Sequence, residues 1–299
     1  MGRRFFTLDV FTEKRFAGNP LAVVLEPDGL DTAAMQTIAR EFNLSETVFV
    51  FPPDDPAHRA KLRIFTPATE LPFAGHPTVG TAVLLGRIDG GSNARDFVLE
   101  LGIGPVRCRV KPAGSEGGRA VFDLPKLPQD IGAPADDATI AAALGIDAGE
   151  IGFEGMRAAR WSAGAPYSII PVRSYDVIRR CRINPGHWKG AFGFDDHSAA
   201  FVICRETADA GHAFHSRMFA PGAGISEDPA TGSAAAALAG YLAMRESYPD
   251  GTHALVIEQG YEMGRPSLME LTLKIAGGKL TGAAIGGGAV TVSEGTIEA

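Results

Sequence analysis

Apolar residues along this chain do not follow one period. Short runs rich in Val, Ile, Leu and Phe, at Phe5 to Phe11, Leu21 to Leu25, Thr47 to Phe51 and Lys61 to Phe65, have the length and composition of strands. Between the second and third of these, Ala34, Met35, Ile38 and Phe42 recur at helical spacing. Asp31 stands where its carboxylate can accept from the exposed N–H groups of a first turn, so a helix through Phe42 is predicted, ending at Asn43 and Leu44. The Ala-rich stretch from Ser233 to Met244 reads as a buried helix, because no run approaches the roughly 18 apolar residues of a membrane span. The passage Asp123 to Pro134, with Pro125, Pro128 and Pro134, resists both helix and central strand and is expected to join two domains. The run Gly286-Gly-Gly288 reads as a turn before a strand.

The same ordered elements occur twice. Ala17-Gly-Asn-Pro-Leu-Ala-Val-Val24 is answered by Ala163-Gly-Ala-Pro-Tyr-Ser-Ile-Ile170, and Arg63-Ile-Phe-Thr-Pro67 by Arg217-Met-Phe-Ala-Pro221. His76-Pro-Thr-Val-Gly-Thr-Ala82 is then answered by Asp228-Pro-Ala-Thr-Gly-Ser-Ala234. Three matches in one order point to an internal duplication.

Composition narrows the classes. A length of 299 residues with 45% hydrophobic content can bury a large core and suits about two domains. A net charge of -7 gives no basic face for nucleic acid. The three cysteines, Cys108, Cys181 and Cys204, form no C-x-x-C pair and suit reduced, packed thiols. Thr7 and Asp9 interrupt the apolar start before it could serve as the core of a signal peptide, so a cytoplasmic location and no membrane association are expected.

Candidate chemistry sits at the third echo. Each copy is a turn, then Pro, then small residues, as where a loop enters a helix, with His76 and Asp228 at the expected capping positions. First-turn N–H groups lack intrahelical partners and carry the positive end of the macrodipole, so they can bind a carboxylate. Gly75, Gly80, Gly232 and Ser233 keep bulk low for a close approach. Glu46, in Leu44-Ser-Glu-Thr-Val-Phe-Val-Phe51, lies at a helix-to-strand junction, where burial would suit it to proton shuttling. Other chemistries lack their residues. His212 and His215 have i, i+3 spacing but no HExxH helix or Cys/Asp cluster, so no metal is expected and they read as surface or packing histidines. Ser162 lacks the first glycine of a nucleophile elbow, and Gly102-Ile-Gly104-Pro lacks the third glycine of a dinucleotide fingerprint.

Four segments, Phe16 to Val24, Leu44 to Phe49, Glu70-Leu-Pro-Phe-Ala-Gly-His-Pro-Thr78 and Glu227-Asp-Pro-Ala-Thr-Gly-Ser-Ala234, supported by Gln259 to Ser267, resemble the PhzF-like (phenazine-biosynthesis-like) family of the diaminopimelate-epimerase fold. The resemblance implies an α+β protein of two pseudo-symmetric lobes, each a mixed β-sheet wrapped around a central α-helix, with the active site in the cleft between them. The lobes are expected at 1–125 and 126–299, with the option that the last strand crosses back to the first. The central helices would begin near His76 and Asp228. The resemblance further implies a cofactor-independent isomerase of a small-molecule carboxylate, dihydro-hydroxyanthranilate in the phenazine branch, working as a homodimer. Glu46, His76 and Asp228 would be catalytic, Glu46 taking and returning the proton, and Gly75, Gly232 and Ser233 would bind substrate. Related racemases use two cysteines, one per lobe; here Ala74 and the Pro229-Ala230 region stand at the corresponding turns, and no cysteine does. The alternatives are an epimerase or eliminase acting on a hydroxylated amino acid, and a non-catalytic module that binds a small acid or a protein.

Overall fold

The computed structural model describes residues 2–114, 116–193 and 198–299. The chain divides into two units, the first comprising 1–123 and 286–299 and the second 124–285.

The first unit runs β1 (Gly2–Val10), β2 (Asn19–Leu25), α1 (Thr32–Phe42), β3 (Glu46–Phe51), β4 (Ala60–Phe65), β5 (Glu70–Leu71), α2 (Gly75–Ile88), β6 (Arg95–Leu101), β7 (Gly104–Ala113) and β8 (Gly117–Asp123). Helix α1 forms as its sequence predicts. Asp31 Oδ1 accepts from the Ala34 N–H at 2.8 Å, and Asn43 ends the helix in the left-handed region. Met35, Ile38 and Ala39 bury one face against Val24, Phe49 and Phe65. Helix α2 is different in kind: Gly75 through Gly86 are all buried, so it has no polar face to orient it. Its surroundings explain this. Among the described residues, eight strands close on themselves in the order β1, β2, β3, β4, β6, β7, β8 and β17 (Lys279–Glu298), with β17 pairing back to β1. Helix α2 packs against β1, β2, β3, β6, β7 and β8 of that ring.

The second unit contains β9 (Gln129–Asp130), α3 (Asp137–Leu144), β10 (Ala159–Ser162), β11 (Pro166–Pro171), α4 (Tyr175–Arg180) and α5 (Pro185–Phe192). It continues with β12 (Ala200–Cys204), β13 (Phe214–Ala220), β14 (Ile225–Asp228), α6 (Gly232–Arg245), β15 (Gly251–Gln259), β16 (Ser267–Ala276) and the first part of β17. Helix α6 packs on β9, β10, β11 and β16. Gly240 is required there, since a Cβ would stand 2.4 Å from Trp161 Cζ3. Cys181, Trp188 and Cys204 share a separate core with α3. Among the described residues, no helix is long and apolar enough to cross a membrane.

The pairings of the first unit recur in the second. The antiparallel β1–β2, parallel β2–β3, antiparallel β3–β4 and β4–β5, parallel β4–β6 and antiparallel β6–β7 pairs are answered by β10–β11, β11–β12, β12–β13, β13–β14, β13–β15 and β15–β16 with the same senses. Side chains repeat as well. Glu100 accepts from the N–H groups of Asp54 and Asp55 and pairs with His58, while Glu258 accepts from those of Ala208 and Asp209 and pairs with His212. Arg63 forks onto Glu70 as Arg217 forks onto Glu227. This alignment matches the helix starts Gly75 and Gly232, so His76 corresponds to Ser233 and not to Asp228.

One sequence reading is corrected and one alternative is decided. Gly286 and Gly288 lie within strand β17, not in a turn. A Cβ on Gly286 would lie 2.5 Å from Val121 Cγ2 and 2.9 Å from the Ala120 carbonyl, and one on Gly288 would lie 2.8 Å from the Thr12 carbonyl. These glycines serve close backbone approach. Of the two alternatives for His212 and His215, the structure shows packing rather than surface for His215, with His212 partly buried. His215 is fully buried with Nδ1 2.9 Å from Glu258 and Nε2 3.1 Å from Glu262, an arrangement that makes both nitrogens donors and the ring a cation. Burial lowers its pKa, but the two carboxylates outweigh burial and raise it above 6.5. Burial likewise pushes Glu258 up, and hydrogen bonds from His215, Ala208, His212 and Asp209 bring it down to about 2.

The signs set a window. The Glu258 contribution is complete above pH 4.5 and is lost as pH falls toward 2; that of His215 is complete below 6.5 and is lost as pH rises through its raised folded value. In His215→Leu the carboxylates lose their buried cation, and a loss of roughly 3–5 kcal/mol is expected. Thermal melts from about pH 5.5 to about pH 9 check this, with the alkaline decline weakened in the variant. Gly286→Val is expected to cost about 1–3 kcal/mol in denaturant titration, whereas Gly149→Ala, with nothing within 4 Å of its Cβ, should change little.

Candidate active site

Strand β3 begins at Glu46, next to Leu21 of β2 in the parallel register. Pro20, one residue earlier on β2, accepts a hydrogen bond from the His76 side chain. These short-range pairings bring Glu46 and His76 together: Glu46 Oε2 lies 3.1 Å from His76 Nε2, with side chains 12% and 5% exposed. Because Nε2 faces Glu46, the bond to Pro20 uses Nδ1–H. Burial drives the His76 pKa down to about 3, only partly offset by Pro20, so the imidazole is neutral and turns the Nε2 lone pair toward Glu46. Nε2 and Oε2 stand within reach of one another but without the geometry of a hydrogen bond. The pair is a carboxyl group and a neutral imidazole in close, buried contact.

Asp228, Gly232 and Ser233 lie in the second unit. The expected capping positions are corrected here. Asp228 ends β14, opposite Met218, and the residue that caps α6 is Thr231; the cap of α2 is Ala74, with His76 inside its first turn. The chain must leave the strand through Pro229 and Ala230 before it can turn into a helix, so the helix starts later than the Asp-Pro motif suggests. No side chain caps the backbone of either helix. The counterpart of Ala74 is thus Thr231 and not the Pro229-Ala230 region. Gly80 is also reassigned, because its missing side chain makes room for Leu21 and Val10, whose methyl groups would lie 2.6 and 2.7 Å from a Cβ.

Sequence reading passed over Thr231 and Gln259 around Asp228, and a tyrosine stands beside Ser233. Thr231 Oγ1 donates to Asp228 Oδ2 at 2.5 Å, Gln259 Nε2 donates to the Asp228 carbonyl at 2.7 Å, and Tyr167 Oη shares a hydrogen bond of 2.7 Å with Ser233 Oγ. Tyr167 faces Ser233 from within the matched segment Ala163 to Ile170. The cysteines take no part: all three are buried free thiols, pushed up to about 12 by burial.

The family model described as phenazine biosynthesis-like protein matches residues 8–295. An uncharacterized isomerase of Mesorhizobium japonicum is 53% identical, covering 99% of this chain and 98% of that one. The trans-2,3-dihydro-3-hydroxyanthranilate isomerase of Pseudomonas fluorescens is 36% identical over 98% of each. The crystal structure of a PhzF-family phenazine biosynthesis protein from Bacillus anthracis superposes with a TM-score of 0.88 at 27% identity, covering 100% of both chains. With a match to nearly its whole length, the chain belongs to the phenazine biosynthesis-like (PhzF) family.

Proposed function

We propose that this protein is an isomerase that moves a proton between carbons of a small carboxylate, with Glu46 as the acid/base group, and that its substrate is of the dihydro-hydroxyanthranilate class. The observation that carries the reading is the buried Glu46–His76 pair at 3.1 Å. Similarity to an isomerase of that substrate supports the class.

In this reading the Glu46 carboxylate removes a C–H proton and, as the carboxylic acid, returns it to another carbon on the same face. Burial serves the step, since a desolvated carboxylate is a stronger base than a solvated one. His76, neutral and fixed through Pro20, packs against Glu46 and limits the directions its carboxylate can take. Asp228, Gly75, Gly232 and Ser233 hold the polar groups of the substrate. Backbone N–H groups at the start of α2 and α6 stabilise its carboxylate and the charge that develops on it. A central helix in each of two duplicated lobes, a homodimer and a cytoplasmic location complete the proposal. The last accords with three cysteines kept as thiols.

Glu46→Gln keeps the shape and removes the base. Proton NMR in deuterated water with trans-2,3-dihydro-3-hydroxyanthranilate should show turnover by the native protein and a loss of about 10³-fold or more in the variant; equal rates would exclude Glu46 as the base. Because His76 is held near 3, the pH–rate profile from about pH 5 to about pH 9 should carry no imidazole limb. Replacing Cys108, Cys181 and Cys204 together by Ala should leave turnover within about threefold, whereas a two-thiol mechanism would lose it.

A further inference from the structure

We infer that Thr231 and Gln259 form a positioning relay that fixes the Asp228 carboxylate; the inference rests on the proposed role of Asp228 at the substrate. Gln259 is fully buried, and Thr231 and Asp228 are each 6% exposed. The direction of every hydrogen bond follows from two backbone groups. Gln259 Oε1 accepts from the Thr231 N–H at 3.1 Å, and Gln259 Nε2 donates to the Asp228 carbonyl at 2.7 Å. Turning the amide over would set donor against donor and acceptor against acceptor, so only one orientation is allowed. In that orientation Nε2 also donates to Thr231 Oγ1 at 3.0 Å. The hydroxyl is thereby an acceptor from Gln259, and its single proton goes to Asp228 Oδ2, 2.5 Å away. The carboxylate is held in one rotamer from its own strand's end.

The backbone is shaped to allow this. Gly260 follows Gln259 at φ +79, and a Cβ there would lie 2.6 Å from the Pro229 carbonyl, so only glycine lets the end of β15 approach the residues after Asp228 so closely. The other unit supplies the control for a merely structural role. Glu100 is the counterpart of Glu258, which places Leu101 where Gln259 stands, and Ala74 occupies the cap position of Thr231. The same strand pairings close over Leu and Ala. The polar triple is therefore not a requirement of the repeated scaffold, and its presence in the unit that carries Asp228 marks it as support for that side chain.

Thr231→Val removes the hydroxyl at nearly constant shape, and Thr231→Ser restores it. Steady-state turnover of trans-2,3-dihydro-3-hydroxyanthranilate should show kcat lower by about 10- to 100-fold in Thr231→Val and Gln259→Leu, with KM within about threefold and Thr231→Ser close to the native rate. A purely structural role would lower the melting temperature and leave kcat of the folded protein unchanged. Independently of substrate, proton NMR should detect a slowly exchanging, downfield Thr231 hydroxyl proton that is lost in Asp228→Asn and Gln259→Leu; its absence from the native protein overturns the relay. Native-rate turnover by Thr231→Val alongside an impaired Asp228→Asn overturns the relay and keeps the function. Native-rate turnover by Asp228→Asn overturns the role of Asp228, and the relay's purpose with it. If the native protein does not turn over this compound, the substrate proposal fails and the hydroxyl proton alone decides the relay.

Discussion

A helix with no solvent-facing side governs the first unit. Helix α2 is buried against strands, so its residues are chosen for size and its first turn lies away from bulk water. Everything proposed for Glu46 follows from that burial. Burial keeps His76 a neutral ring, with one nitrogen given to Pro20 and the other standing 3.1 Å from Glu46. A polar pair at the start of a helix is common on a protein surface. Buried against six strands, the same pair has little water to compete for it.

The duplicated scaffold shows how a common frame can carry different tasks. Both units tie a loop to a strand through a glutamate that accepts two backbone N–H groups, and both lock an arginine to a glutamate near the start of the buried helix. In the second unit this frame is deeper. Arg217 also donates to the Ile178 and Cys181 carbonyls at the end of α4, and His215 stands where the first unit has Lys61. Lys61 reaches out to Asp54 at the surface; His215 is sealed between Glu258 and Glu262. The frame is the same, and the degree of burial decides whether an ion pair is ornamental or structural.

What sequence reasoning could see followed the range of the forces involved. Helix α1 was legible because its cap, its apolar face and its terminating Asn43 are all local. The segments that hold Glu46 and His76 stood out through ordered motifs that repeat or resemble a family, while the contact between the two side chains depends on β2, β3 and α2 meeting and was not legible. The start of α6 was misplaced by three residues at Asp228, because Asp-Pro satisfies a local rule for helix entry while β13 holds Asp228 in a ladder. His215 was left open between surface and packing, and Gly288 was misread, for a related reason. Charged residues in a strand look solvated until the facing carboxylates are known, and a glycine run looks like a turn until the backbone it must approach is known.

Strand β17 belongs to both units, with its first residues in the second and Gly286 onward in the first. The ring of strands therefore has a gap between β1 and β8 that only the last stretch of chain can fill. On the ribosome, the portion made first is the portion completed last. While the second unit is synthesised, the nascent first half must wait with an open seam and an incompletely covered helix. Until the last strand arrives, the edges of β1 and β8 are open to wrong partners, so closing the ring protects the first unit as well as completing it.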